Sequence, residues 1–368
     1  MKKLYLIGVA LTALLFLAAC EDTPAPVQSD AEASAIQDNP TESELNRGFG
    51  HSRGDIVIAN RGSGSISVID TRTDQLRGTY PLPDGDNPPE PMYVVFVPGT
   101  HRVFVGDRAN DRVVVFRSDD YSVEGTVPAG AGVFHMWADL RGRQLWVNND
   151  IDNTTTVIDP RRLTVLATVP TPADLVADGG KPHDVILGPW GHLAYVSVVG
   201  ASGSDWVVQY STRSFAETGR AAVGRDPHLS LTPGNRNLFV PTQGGNEIVV
   251  LNRLTLDEVE RIPVPGAHGA GMPIHGRVFY TTNLPGGGTD GLFAIDTRRN
   301  RVIGSADTPF PVPHNIALTP NSRKLYVTHS GGTADKVSVY RVSLRDPIPV
   351  HVTDITVGLN PFGLDFAR

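Results

Sequence analysis

Five of the eleven histidines stand at one place in a repeated phrase: His135, His183, His228, His268 and His314. Each opens an apolar alternating run, as in Pro313-His314-Asn-Ile-Ala-Leu. Related phrases open at Met92 and Phe362, so successive starts lie 43, 48, 45, 40, 46 and 48 residues apart. The register is imperfect, because the His228 copy is one residue short before its turn. Neutral imidazole suits borderline ions such as copper, zinc and nickel, and a thioether from Met92 would favour copper. Three or four nitrogens about 2 Å from one ion suffice. The five histidines and Met92 are therefore candidate ligands for copper or zinc. The competing reading is repeat duplication, which copies a histidine that merely hydrogen-bonds within its own unit.

Residues more than forty apart converge only if something closes the repeats into a circle. A period in the forties, built of short strands and turns, predicts a sheet-repeat architecture rather than two or three ordinary domains. Thirty-eight glycines and 29 prolines supply the turns, and 40% apolar residues suit short half-buried strands. Second strands are predicted over 55–59, 102–105, 144–147, 193–198, 237–240, 277–281 and 324–328. Third strands close on Asp70, Asp159, Asn252 and Asp296, whose side chains can accept the amides of the following turn. The first copy lacks its opening strand, and the last copy, residues 360–366, has only that strand. Together they make one unit. The expectation is an all-β, seven-bladed β-propeller over 51–368, with four-stranded antiparallel blades and its two chain ends sharing one blade.

Tyr326-Val-Thr328, Phe279-Tyr-Thr-Thr-Asn283 and the Val-Ile-Asp-Thr type of turn resemble the YVTN-repeat family of seven-bladed propellers, the YncE-like proteins. The resemblance implies a rigid extracytoplasmic disc with a central channel, and no particular chemistry. The phrases Pro182-His183 and Pro313-His314 also resemble those of lactonase-type propellers, which implies carboxylates and arginines around the channel. Here the inner-strand starts carry no acid, although Asp184 and Asp226 are adjacent. The copper centre of nitrous oxide reductase offers an architectural analogy, without that enzyme's second copper domain or its cysteines.

The amino terminus reads as an address. Lys2 and Lys3 precede an apolar stretch that ends Leu17-Ala18-Ala19-Cys20, a lipobox-like sequence, so residues 1–19 are expected to be a lipoprotein signal peptide. Cys20 is the chain's one cysteine; disulfides are excluded and lipidation is its expected role. Residues 20–50, acidic and rich in Ser, Ala and Pro, are expected to be a disordered tether. The protein is thus expected outside the cytoplasm, lipid-anchored at the periplasmic face of the inner membrane or at the outer membrane, as a monomer. Losing the two lysines takes the formal charge from −7 to −9, which argues against nucleic-acid binding.

Other chemistry is thin. No Cys-x-x-Cys-His could hold haem c. Gly244-Gly245 and the glycines at 286–288 sit in hairpins, and no Gly-x-Ser-x-Gly elbow precedes a helix. Trp137, Trp146, Trp190 and Trp206 read as packing residues. His101, His192 and His275 fall in turns on the opposite face, and His329 near the rim. With no catalytic motif, the favoured reading is a tethered binding or scaffold module for an envelope protein or polymer, with a histidine-lined metal site. A lactonase-like or other hydrolytic propeller acting on a small molecule is the alternative.

Overall fold

The run Asp55–Asn60 reads Asp-Ile-Val-Ile-Ala-Asn, and every residue of it is buried. A strand covered on both faces must lie between two other layers. Its alternate side chains part company: Ile56 and Ile58 join one apolar cluster, Val57 and Ala59 another. The same division recurs in every sheet. Seven such clusters, one per seam between neighbouring sheets, form the core of the described residues.

The structure, a computed structural model, describes residues 54–231 and 234–368. The expected signal peptide, Cys20 and the tether lie outside the described residues. What is described is a seven-bladed β-propeller with antiparallel blades. Blade 1 joins Pro361–Ala367 to Asp55–Asn60, Ser65–Asp70 and Gln75–Pro81 in that order, so the last strand of the chain completes the first blade as the sequence predicts. Blades 2, 3, 4, 6 and 7 open on the inner strands Pro91–Val97, Val133–Ala138, Lys181–Leu187, Ala267–Gly271 and Pro313–Leu318. In blade 5 the inner run, residues 227–231, is held by two bridges, Pro227–Thr242 and Ser230–Phe239. That is the copy one residue short in sequence.

Buried tyrosines tie blades together across the seams. Tyr326 donates to Asp74 (2.6 Å), Tyr195 to the Arg253 carbonyl (2.6 Å) and Tyr121 to Asp55 (2.7 Å). Each hydroxyl finds a partner where the ring is apolar, as a buried tyrosine requires. The acids that close the third strands act as anticipated. Asp70, Asp159 and Asp296 accept the amides of Arg72, Arg161 and Arg298 at 2.7–2.9 Å. Trp146 is fully buried in the seam between blades 3 and 4, a packing role.

Candidate functional site

Six inner strands break register at one place. Pairing with the second strand jumps from Pro91 to Val94, Val133 to Met136, Pro182 to Val185, Ala267 to Ala270, Pro313 to Ile316 and Pro361 to Leu364. Three steps on the inner strand answer two on its partner, which is a β-bulge. Blade 5 differs: its bridges Pro227–Thr242 and Ser230–Phe239 keep equal steps on both strands, the His228 amide donates to the Pro241 carbonyl (2.8 Å), and His228 and Leu229 hold the corresponding positions without an inserted residue. Each bulge frees two consecutive residues from the ladder. The first positions hold Met92, Phe134, His183, His228, His268, His314 and Phe362. The second hold Tyr93, His135, Asp184, Leu229, Gly269, Asn315 and Gly363.

Two expectations are corrected by this register. His135 does not share a position with the other four histidines; Phe134 does, and His135 follows one residue later. Met92 does share it, but its side chain is fully buried in the apolar cluster between blades 2 and 3. Tyr93 stands at the channel instead, its ring 3.7 Å from that of His135. The soft-donor argument for copper leaves with Met92.

Hydroxyls on the second strands set the bulges. The Thr282 hydroxyl accepts from the Gly269 amide (2.9 Å) and donates to the His314 carbonyl of the next blade (3.2 Å). Thr328, the threonine of the Tyr-Val-Thr phrase, accepts from Asn315 (3.1 Å) and donates to the Phe362 carbonyl (2.8 Å). The Ser197 hydroxyl accepts from the Asp184 backbone amide in blade 4. The inner strands approach so closely that a Cβ on Gly269 would fall 2.0 Å from the His314 carbonyl oxygen.

The result is an arc of aromatic rings around the axis. Centroid distances run 5.0 Å from Phe134 to His183, then 4.8, 3.9, 4.9 and 4.0 Å through His228, His268 and His314 to Phe362. His135 lies inside the arc, 5.2 Å from His183 and 5.6 Å from His228. The five imidazoles converge, as their spacing predicts. Arg61 and Arg108 sit over the faces of Phe362 and Phe134, each anchored by an acid, Glu90 and Asp150. His329 stands apart, satisfied by the Pro311 carbonyl and the Ser338 hydroxyl.

Each of the five imidazoles carries one buried nitrogen without a hydrogen-bond partner: Nε2 of His135, His183 and His228, and Nδ1 of His268 and His314. Burial pushes all five below the usual histidine range, His228 and His314 to about 3, and the neighbouring imidazoles push the same way for all but His135. They are neutral near pH 7. Their nitrogens are therefore lone-pair donors or hydrogen-bond partners, not cations. One nitrogen each from His135, His183 and His228 lies within 4.8 Å of the others, and so do ligand atoms of Asp226, His228 and His268.

Asp184 is the polar hub. Its carboxylate accepts from the amides of Val185 (2.7 Å) and Leu229 (2.9 Å) and lies 2.9 Å from His135 Nδ1. Burial raises its pKa, while those amides and the nearby His228 pull it back. Three donors converge on it, so it acts as an acceptor and fixes the proton of His135 on Nδ1. Asp226, on the entry to blade 5, lies 3.5 Å from His183 Nε2 and 3.9 Å from His228 Nε2.

Below the arc the channel widens into a cavity of about 350 Å³, lined at its polar end by Tyr93, His135, Asp184, His228 and Asn315. Its walls are apolar, including Trp137, Leu140, Ile186, Leu231, Met272 and Leu318, and it runs to the face that carries the first-to-second-strand turns. Asp365 interrupts them. Where the other inner strands place Val95, Trp137, Ile186, Leu231, Gly271 and Ala317, blade 1 places a carboxylate. It accepts from the Phe96 and Phe366 amides (both 2.7 Å), yet burial lifts its pKa from 3.8 to about 7.

A group raised in the folded state stabilises the fold fully below its unfolded pKa, and that contribution is lost as pH rises through the folded one. Relative to Asp365→Asn, the wild type is therefore expected to lose thermal stability between about pH 4 and 7. Melting curves of both proteins across that range check it; parallel slopes would refute the assignment.

A family model described as "Lactonase, 7-bladed beta-propeller" matches residues 28–262. No curated protein matches the sequence. Solved structures share the fold at low identity. The periplasmic gluconolactonase PpgL of Pseudomonas aeruginosa is 18% identical, with TM-score 0.66, over 86% of this chain and 99% of that one. A protein from Lactobacillus plantarum is 16% identical, with TM-score 0.67, over 86% and 100%. Hydrazine synthase of Kuenenia stuttgartiensis is 15% identical, with TM-score 0.60, over 73% and 87%.

Proposed function

Because the chain belongs to the lactonase family of seven-bladed β-propellers, we propose that it opens the ring ester of a small lactone within its channel cavity. The observation that carries this reading is the paired His135 and Asp184 at the polar end of a mostly apolar pocket. It favours the hydrolytic alternative over a bare scaffold, which has no need of such a pocket. The sequence motifs alone placed the weight the other way.

With its proton held on Nδ1, neutral His135 presents the Nε2 lone pair, and that atom has no protein partner. It takes a proton from water as the water oxygen adds to the lactone carbonyl. The carbonyl becomes an oxyanion, and the Tyr93 hydroxyl and Asn315 amide, both on the cavity wall, are the donors available to it. Collapse of the intermediate breaks the ring carbon–oxygen bond. His135 then returns its proton to the leaving alkoxide, and the product is a hydroxy acid. Trp137, Leu140 and Met272 cover the apolar part of the substrate and keep bulk water out.

The lipobox-like run ending at Cys20 supports placing this activity outside the cytoplasm. The test is acid release from sugar-acid and aliphatic lactones, followed at constant pH with washed membranes and with purified protein. Ring opening above the spontaneous rate, enriched in the membranes, is the expected result. A full panel without turnover would sink the hydrolase reading, and activity confined to the soluble fraction would sink the anchor.

A further inference from the structure

At the upper end of the cavity, beside His135, a second constellation remains unused by that chemistry. We infer that His183, Asp226, His228 and His268 bind one divalent transition-metal ion at the upper end of the channel.

Spacing comes first. Ligand atoms on a four-coordinate ion with bonds of about 2.0–2.1 Å stand roughly 3.3–3.5 Å from one another. Asp226 Oδ1 lies 3.5 Å from His183 Nε2 and 3.9 Å from His228 Nε2, and ligand atoms of Asp226, His228 and His268 all fall within 4.8 Å. A contraction of up to a few tenths of an ångström would bring the two Asp226 pairs to coordination distance, and His268 would close on them from within 4.8 Å. The residues come from three consecutive inner strands and the turn before one of them, so the set is preformed by the ring rather than by one flexible loop.

The unpaired nitrogens come second. His183 Nε2, His228 Nε2 and His268 Nδ1 are buried without a partner, and His228 is 3% exposed. Leaving a buried polar atom unsatisfied costs about 1–3 kcal/mol, so a pure packing role would forfeit that three times within one cluster. An ion offsets all three at once. The imidazoles are neutral, which is the state that ligates.

Backbone geometry comes third. Asp226 adopts φ +56°, a left-handed conformation uncommon outside glycine. Its amide is held there by Asp205 Oδ2 at 2.8 Å, and the twist delivers its carboxylate to the two imidazoles. Three nitrogens and one carboxylate oxygen form a donor set that suits zinc or cobalt(II), and with Met92 buried elsewhere no sulfur biases it to copper(I).

The site shares His228 with the cavity wall, but its test is read without lactone turnover. Untagged full-length protein is assayed for metal by elemental analysis, then stripped with a chelator and titrated with Co(II). Stoichiometric binding with the intense visible bands of a tetrahedral ion is expected, together with a higher melting temperature for the loaded protein. Asp226→Asn and His268→Gln should each weaken Co(II) binding by about 10–100-fold. His101→Gln and His192→Gln, on exposed turns, should leave it unchanged. Circular dichroism confirms that each variant folds. Wild-type affinity in both ligand variants overturns the assignment, as does Co(II) uptake that the two turn histidines account for. Metal binding without lactone hydrolysis leaves this site standing and removes only the hydrolase reading; the reverse outcome does the opposite.

Discussion

Asp184→Asn is expected to lower kcat for lactone opening by about 10²–10⁴-fold, with little change in KM. The carboxylate touches neither water nor substrate in the proposed scheme; it decides which nitrogen of His135 carries the proton. An amide in its place can donate to Nδ1 and so drive the proton to Nε2, which removes the base. Positioning aspartates beside catalytic histidines in unrelated enzymes lose activity on this scale when amidated. With its NH2 turned to His135, the carbonyl oxygen of Asn can still accept from the Leu229 amide, which keeps the link between blades 4 and 5, while the Val185 amide loses its acceptor. The check is steady-state kinetics beside a thermal melt. Retained kcat in a folded variant would strip Asp184 and His135 of their roles. A matching loss in His135→Gln, with no further loss in the double variant, would show that the pair acts as one unit.

Deleting residues 361–368 should abolish the folded state altogether. That segment pairs with Asp55–Asn60 at Ile56, Val57 and Ile58, among others, and buries Leu364 in the seam between blades 7 and 1. Ser330 and Thr328 lose their acceptors at Pro361 and Phe362, and the Phe96 amide loses Asp365. Each lost hydrogen bond is worth about 1 kcal/mol, with a further penalty for any partner left buried. Loss of one buried leucine costs about 2–5 kcal/mol. Added together, these rival the whole 5–15 kcal/mol stability of a domain. The truncated chain should be insoluble or protease-sensitive. If it purifies with an unchanged near-ultraviolet spectrum, closure by the chain ends contributes little.

The fold was legible because its signal repeats. Seven in-phase copies of an alternating run, with acids such as Asp70 and Asp296 closing third strands, are enough to infer blades. The split first blade showed in one copy lacking a strand and another having nothing else. The site was legible only to within one residue. A β-bulge inserts a residue without any signature in the alternation, so His135 fell on the same line as His183 although the ladders separate them, and Met92, which shares that line, turns its side chain into the seam. Tyr93 and Phe134 were overlooked for the same reason. Asp365 carried a visible mark, an acid in a register that is otherwise apolar or glycine, but only the paired strands make that register readable. Asp184 and Asp226 were seen as neighbours of histidines; distance in space alone separates a hub from a bystander.

The seam clusters and the channel-facing residues use largely different side chains of the same inner strands, with Met92, Tyr93 and Phe134 among the shared ones. Selection can therefore act on them almost separately. Exchanging Asn315, which belongs to none of these clusters, alters what the pore greets while the wedges that carry the stability go untouched. A wheel built this way can change trade by swapping a few hub fittings, which gives a physical reason for a single architecture to be shared by proteins only 15–18% identical.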